Sequence, residues 1–159
     1  MRNRAGGIYI KDGKILLMHR IKEIDGKINE YYVIPGGKVE ENETLKETTI
    51  REIEEEIGIK VKLIQDNPKY IYKTEEGNQY FMLVDYISGV IGTGTGPEFT
   101  NNDYAKNGKY IVEMISLMDI IDGKINMVPE TIKNKLINEI QSLNKKIEMI
   151  NSLDMINNN

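Results

Sequence analysis

The sequence predicts a mixed α/β fold in which a sheet is sandwiched between helices. Two observations carry that expectation. Short runs rich in isoleucine, valine and tyrosine, punctuated by glycine turns, lie on both sides of one internal amphipathic segment, and a longer segment of helical period closes the chain.

Taken in order, Ala5 to Lys11 and Lys14 to Ile21 are short and apolar, and the Asp12-Gly13 pair between them is a hairpin signal, so two antiparallel strands are expected. Lys22 to Glu30 is polar, contains Asp25-Gly26 and reads as a turn or loop before the aromatic-aliphatic run Tyr31 to Ile34. Pro35-Gly36-Gly37 is expected to break regular structure. A helix beginning near Thr44 carries Leu45, Ile50, Ile53 and Ile57 on one face, and Gly58 stands where a left-handed C-cap would end it. Lys60 to Ile64, Lys69 to Lys73 and Gln79 to Ile87 follow as strands, the last entered through Glu76-Gly77-Asn78. Lys109 to Ile115 adds a strand and Leu117 to Ile121 a helical turn. Glu130 to about Ile150 forms a C-terminal helix in which Ile132, Leu136, Ile140, Leu143, Ile147 and Ile150 recur at helical spacing. Residues 1–150 read as a single domain and 151–159 as a frayed tail.

With 159 residues the chain is long enough to bury a core as one domain. Its formal charge of -4 argues against a general nucleic-acid or membrane-surface binder, because attraction to phosphate backbones or lipid headgroups requires a basic face. Cysteine is absent, which removes disulfides, thiolate metal sites and thiol nucleophiles. The N-terminal stretch lacks the apolar centre of a secretory signal, and no run approaches the roughly eighteen apolar residues of a membrane span, so a cytoplasmic enzyme is expected.

The stretch from Gly37 to Ile59, GKVEENETLKETTIREIEEEIGI, decides the functional reading. In a helix, residues three and four apart share a face, so Glu52, Glu55 and Glu56 project together. Like charges this close repel, and solvent, a basic partner or a hard cation must offset them. Oxygen-only ligands suit magnesium or manganese. A glutamate run is ordinarily just the solvated face of a helix. Here Glu54, Glu55 and Glu56 crowd the C-terminal half, where the macrodipole disfavours anions, and that conflict points to function.

This stretch resembles the signature of the Nudix hydrolases: glycine, five residues, glutamate, seven residues, Arg-Glu, an aliphatic residue, any residue, Glu-Glu, any residue, glycine, aliphatic. Gly37, Glu43, Arg51, Glu52, Ile53, Glu55, Glu56, Gly58 and Ile59 meet every fixed position, and Pro35-Gly36 matches the usual lead-in. The resemblance implies an α/β/α sandwich with a mixed central sheet, and hydrolysis of a phosphoanhydride in a nucleoside diphosphate linked to another group. It implies Mg2+, with Mn2+ as a substitute, held by Glu52, Glu55 and Glu56 and the backbone carbonyl of Gly37, where glycine lets the backbone approach an ion closely. Arg51 would orient Glu43 and a neighbouring carboxylate through its planar fork. The water-activating base varies within the family. Glu52 and Glu55 in the helix, and Glu98 in the loop Gly96-Pro97-Glu98-Phe99, are the candidates.

Outside that stretch, Arg20 closes the second strand where related proteins often carry arginine, and a guanidinium suits phosphate. Tyr32 stands where many relatives have tryptophan and is a candidate for stacking on a base or packing the core. His19, the one histidine, reads as structural. Gly92-Thr93-Gly94-Thr95-Gly96 misses the spacing of phosphate-cradling loops, and the polar stretch Gly92 to Gly108 reads as either a lid or a structureless connection. The auxiliary patterns of the ADP-ribose, dinucleoside polyphosphate, coenzyme A and NADH subgroups are not met, which leaves nucleoside triphosphates or an oxidised base as the default substrate. Two other readings are a nucleotide sensor without turnover and an acidic interaction module; the intact set of glutamates speaks against the first. Dimerisation is common among relatives, and the apolar segment Ile147 to Ile156 is a candidate contributor to a homodimer.

Overall fold

The run Ile15-Leu16-Leu17-Met18 is apolar at every position because both faces of its strand are covered. In the computed structural model, which describes residues 1–95 and 108–157, Ile15 and Leu17 point into one core and Leu16 and Met18 into another. The first core lies under the C-terminal helices and gathers Ile8, Phe81, Ile120, Met127, Ile132 and Leu136. The second lies under the internal helix and gathers Tyr9, Ile53, Ile57, Ile59, Val61 and Val84. Sheet between two helical layers is the α/β/α sandwich expected from the sequence.

The elements run β1 (Arg4–Ile8), β2 (Ile10–Lys11), β3 (Lys14–Ile24), β4 (Lys27–Val33), β5 (Gly36–Lys38), α1 (Leu45–Ile57), β6 (Ile59–Leu63), β7 (Tyr70–Lys73), β8 (Asn78–Gly89), β9 (Lys109–Ser116), α2 (Leu117–Ile121) and α3 (Glu130–Asn157). One sheet has the order β5-β1-β8-β6, with β7 also on β8; its β1–β8 pair is parallel and the others antiparallel, so the sheet is mixed. The second sheet is antiparallel, β2-β3-β4 with β9 on β3.

Four expectations change. Ala5 to Lys11 is two strands rather than one, parted at Tyr9, which leaves the first sheet and enters the second. Lys22 to Glu30 is a hairpin, not a loop: β3 and β4 pair from Met18–Val33 to Ile24–Lys27 around Asp25 and Gly26, both at positive φ (52° and 77°), the combination a tight hairpin turn needs. Its polarity reflects a ribbon that reaches past the core, where no face is buried and no alternation is imposed. Gly36–Lys38 is a strand on β1, because Pro35 ends β4 and the glycines can approach the backbone of β1 closely. Finally, α3 continues to Asn157, well past Ile150 and through most of the segment read as a tail.

The internal helix begins and ends as the sequence predicts. Thr44 is its N-cap and forms a capping box: the Glu47 amide donates to Thr44 Oγ1 (3.1 Å) and the Thr44 amide donates to Glu47 Oε1 (3.3 Å). Gly58 closes it at φ 89°, its amide donating to the carbonyls of Glu54 and Ile53. The helix packs on β1, β5 and β6 through Ile53 and Ile57, which are fully buried. Its buried Thr48 and Thr49 remain satisfied, Thr49 Oγ1 donating to the Leu45 carbonyl (2.8 Å). No helix among the described residues is long and apolar enough to cross a membrane.

Candidate active site

Docking the apolar stripe of α1 on the sheet turns its opposite edge toward β5, and this is what assembles the acidic site. Arg51 sits at the centre. Its Nε and Nη2 grip both oxygens of Glu43 (2.7 and 2.9 Å), Nη1 donates to Glu52 Oε1 (2.9 Å) and approaches Glu55 Oε2 (3.3 Å), and Nη2 also donates to the Lys38 carbonyl (3.1 Å). One planar fork therefore ties the loop before the helix, the helix and β5 together. Thr48 Oγ1 adds a hydrogen bond to Glu43 Oε1 at 2.6 Å.

These contacts move the protonation equilibria. Hydrogen bonding to Arg51 outweighs burial and, with Thr48 and the Glu40 amide, holds the Glu43 carboxyl at about 2. The same bonds to Glu43, opposed by burial and joined by Glu52, push the Arg51 guanidinium above its ordinary range, so it stays charged. Glu43 is thus a fixed anion whose role is to hold Arg51 in place.

Glu52 lies against Gly37. A β-carbon on Gly37 would fall 2.2 Å from the Glu52 carboxyl carbon, so only glycine permits this approach of carboxylate and backbone. Glu56 turns the same way and accepts a hydrogen bond from the Gly36 amide (3.2 Å). The sequence reading of Glu52, Glu55, Glu56, Gly37, Arg51 and Glu43 as one cluster agrees with this geometry. Among the described residues no three acidic or histidine side chains converge as a ready coordination shell: Arg51 engages Glu52 and Glu55, while Glu56 faces the Gly36 amide. The donor chemistry nonetheless fits a hard cation, since every available ligand is an oxygen and the glycine cradle leaves the backbone open beside Glu52.

Beside this cluster opens a cavity of about 690 Å³, within the range that holds a nucleotide. Gly36, Gly37 and Glu56 line its acidic end; Arg4, Gln79 and Tyr80 line the wall from β1 and β8; Met18, Arg20, Tyr31 and Tyr110 line the wall from β3, β4 and β9. Arg20 is where the sequence places it, with its guanidinium 3.9 Å from the Tyr110 ring centroid and 5.8 Å from that of Tyr31. Stacking on these rings flattens and orients the cation.

Tyr32 requires a correction. It lines no part of this cavity; its ring stacks on His19 at 4.1 Å and packs against the core beneath α3. The cause is strand alternation: the Arg20–Tyr31 pair faces the cavity, and the neighbouring His19–Tyr32 pair faces the other side. There His19 is buried between Glu30 (Nε2 to Oε1, 2.5 Å) and Glu113 (Nδ1 to Oε2, 3.0 Å), a structural tie between β3, β4 and β9. Burial first, then the charges of Glu113 and Glu30, raise the pKa of the Tyr32 phenol and keep it neutral. Tyr31 and Tyr110 take the place expected of Tyr32. Glu98, the loop candidate for the catalytic base, lies outside the described residues, as does most of the Gly92 to Gly108 stretch.

Comparison with known proteins agrees with the site. The NUDIX domain family model matches residues 1–106. An ADP-ribose pyrophosphatase from Methanocaldococcus jannaschii is 33% identical over 104 residues, covering 65% of this chain and 57% of that protein. An 8-oxo-dGTP diphosphatase from Buchnera aphidicola subsp. Schizaphis graminum is 33% identical over 116 residues, covering 72% of this chain and 76% of that protein. A solved MutT structure from work on Aliivibrio salmonicida and Vibrio cholerae superposes with a TM-score of 0.59 at 21% identity, covering 87% of this chain and 98% of that one, a likeness of fold. By the matched family, the relatives and the complete acidic signature on α1, the chain belongs to the Nudix hydrolase family.

Proposed function

We propose that this protein hydrolyses a phosphoanhydride bond in a nucleoside diphosphate linked to another moiety, with nucleoside triphosphates, including oxidised ones, as the first substrates to test. The observation that carries the reading is Arg51 binding Glu43, Glu52 and Glu55 beside Gly37, at the end of a cavity of nucleotide size. The named activities of two relatives, on ADP-ribose and on 8-oxo-dGTP, support a nucleotide and leave its identity open between them.

Glu52, Glu55, Glu56 and the Gly37 carbonyl would hold the divalent cation, magnesium by preference and manganese as its substitute. When bound, such a cation supplies charge neutralisation on the bridging phosphates and a more acidic water. Arg51 keeps the carboxylates ionised and aimed; it contacts no substrate in this reading. Arg20, steadied on Tyr110, binds phosphate oxygens, and the rings of Tyr31 and Tyr110 offer faces on which a base can stack. Glu52, Glu55 and Glu98 share the candidacy for accepting the proton of the attacking water.

The test is a nucleotide panel incubated with the protein and magnesium, with phosphate read with and without a coupling phosphatase. Turnover of at least one member, lost in Glu55→Gln, is expected. Nucleotide affinity without turnover by the unaltered protein would instead make the domain a sensor.

A further inference from the structure

Helix α3 outruns the body it packs on. Ile132 and Leu136 are buried in the core, yet every residue from Gln141 to Met155 is exposed. The overhang from Gln141 to the helix end at Asn157 is about 25 Å at 1.5 Å per residue. The apolar stripe does not stop where the core does. Leu143, Ile147 and Ile150 continue the face of Ile132 and Leu136 at spacings of three and four, with Leu153 at its edge, and they are 57%, 48%, 57% and 53% exposed. A helix this short, interrupted by Asn144, Asn151, Ser142 and Ser152, is marginal in water on propensity alone, so burial of the stripe is what would stabilise it.

We propose that the overhang is a self-association surface, on which two copies of this chain pair their α3 helices antiparallel about a two-fold axis at Ile150. Charge order along the helix selects this occupant. Lys146 and Asp154 lie four residues either side of Ile150, so antiparallel pairing sets each Lys146 against Asp154 of the second copy, and Ile147 against its Leu153. Parallel pairing would oppose lysine to lysine and aspartate to aspartate, which is destabilising. The overhang's two lysines, Lys145 and Lys146, are balanced by Glu148 and Asp154, so it lacks the basic excess with which an amphipathic helix binds anionic lipid. Roughly 600 Å² per copy would be covered by the four apolar side chains and the stems beside them, which is the low end for a specific interface. The dimer therefore dissociates on dilution.

Sedimentation velocity of the full chain over a wide concentration range tests this, with circular dichroism confirming unchanged helix content in each variant. Expected are a concentration-dependent dimer for the unaltered protein, and monomers for Lys146→Asp and for Asp154→Lys taken separately. Mixing those two variants should restore a dimer of one copy of each, because their changed charges become complementary only across an antiparallel pair. A monomer at every concentration overturns the proposal. So does a dimer indifferent to both single substitutions, or a mixture of the two variants that stays monomeric.

Discussion

Replacing Arg51 with lysine keeps the charge and removes the fork. A single ammonium cannot reproduce two bonds to Glu43, one to Glu52 and one to the Lys38 carbonyl, so Glu43, only 13% exposed, loses its bidentate partner. The magnitude follows from Glu43 itself: its carboxyl falls from an ordinary 4.5 to about 2, chiefly through Arg51, which corresponds to about 3 kcal/mol favouring the ionised form in the folded state. Because the folded value is depressed, this stabilisation is complete above about pH 5 and is lost as pH falls toward 2. Arg51→Lys should thus be about 2–3 kcal/mol less stable at pH 7 and nearly equal to the unaltered protein near pH 2. Urea unfolding of both proteins across that pH range reads the difference, and the other carboxylates, common to both, cancel from it. Carbon-detected NMR of the Glu43 carboxyl should show its midpoint near 2 moving up toward 4.5 in the variant. A stability difference that stays constant from pH 7 to pH 2 would refute the reasoning.

Gly37→Ala places a methyl where the Glu52 carboxyl stands; turnover should fall about a hundredfold or more, with less than about 2 kcal/mol lost from the fold, read by initial rates beside a urea melt. Tyr31→Leu and Tyr32→Leu should separate cleanly despite their adjacency. The first should raise KM several-fold with little change in unfolding, because Tyr31 lines the cavity, and the second should lower stability by about 1–2 kcal/mol with KM unchanged, because Tyr32 stacks on His19 in the core.

What the sequence discloses follows the range of the interactions involved. The box helix is legible to the residue, because Thr44-x-x-Glu47 and Gly58 are local signals whose hydrogen bonds close within one turn. The clustering of Glu52, Glu55 and Glu56 is legible for the same reason, since helical spacing alone sets it. The β3–β4 hairpin is obscured because its outer half buries nothing, so hydrophobic alternation, the main signal for a strand, is missing there. Choosing Tyr31 over Tyr32 depends on register, and a register one residue off exchanges the two faces of the strand. Tyr110 reaches Arg20 from ninety residues away through the β3–β9 pairing, which no local pattern encodes. Nor does spacing reveal that Arg51 would hold Glu52 and Glu55, because that depends on where β5 brings the Lys38 carbonyl.

The claim that α1 and Gly37 together hold a divalent cation is tested most directly by adding Mn2+ to isotope-labelled protein and recording which backbone amides broaden. The account predicts loss of signal confined to Gly36, Gly37, Glu52, Glu55, Glu56 and their immediate neighbours, reversed by excess Mg2+. Broadening centred elsewhere, or none at concentrations that support turnover, would contradict it.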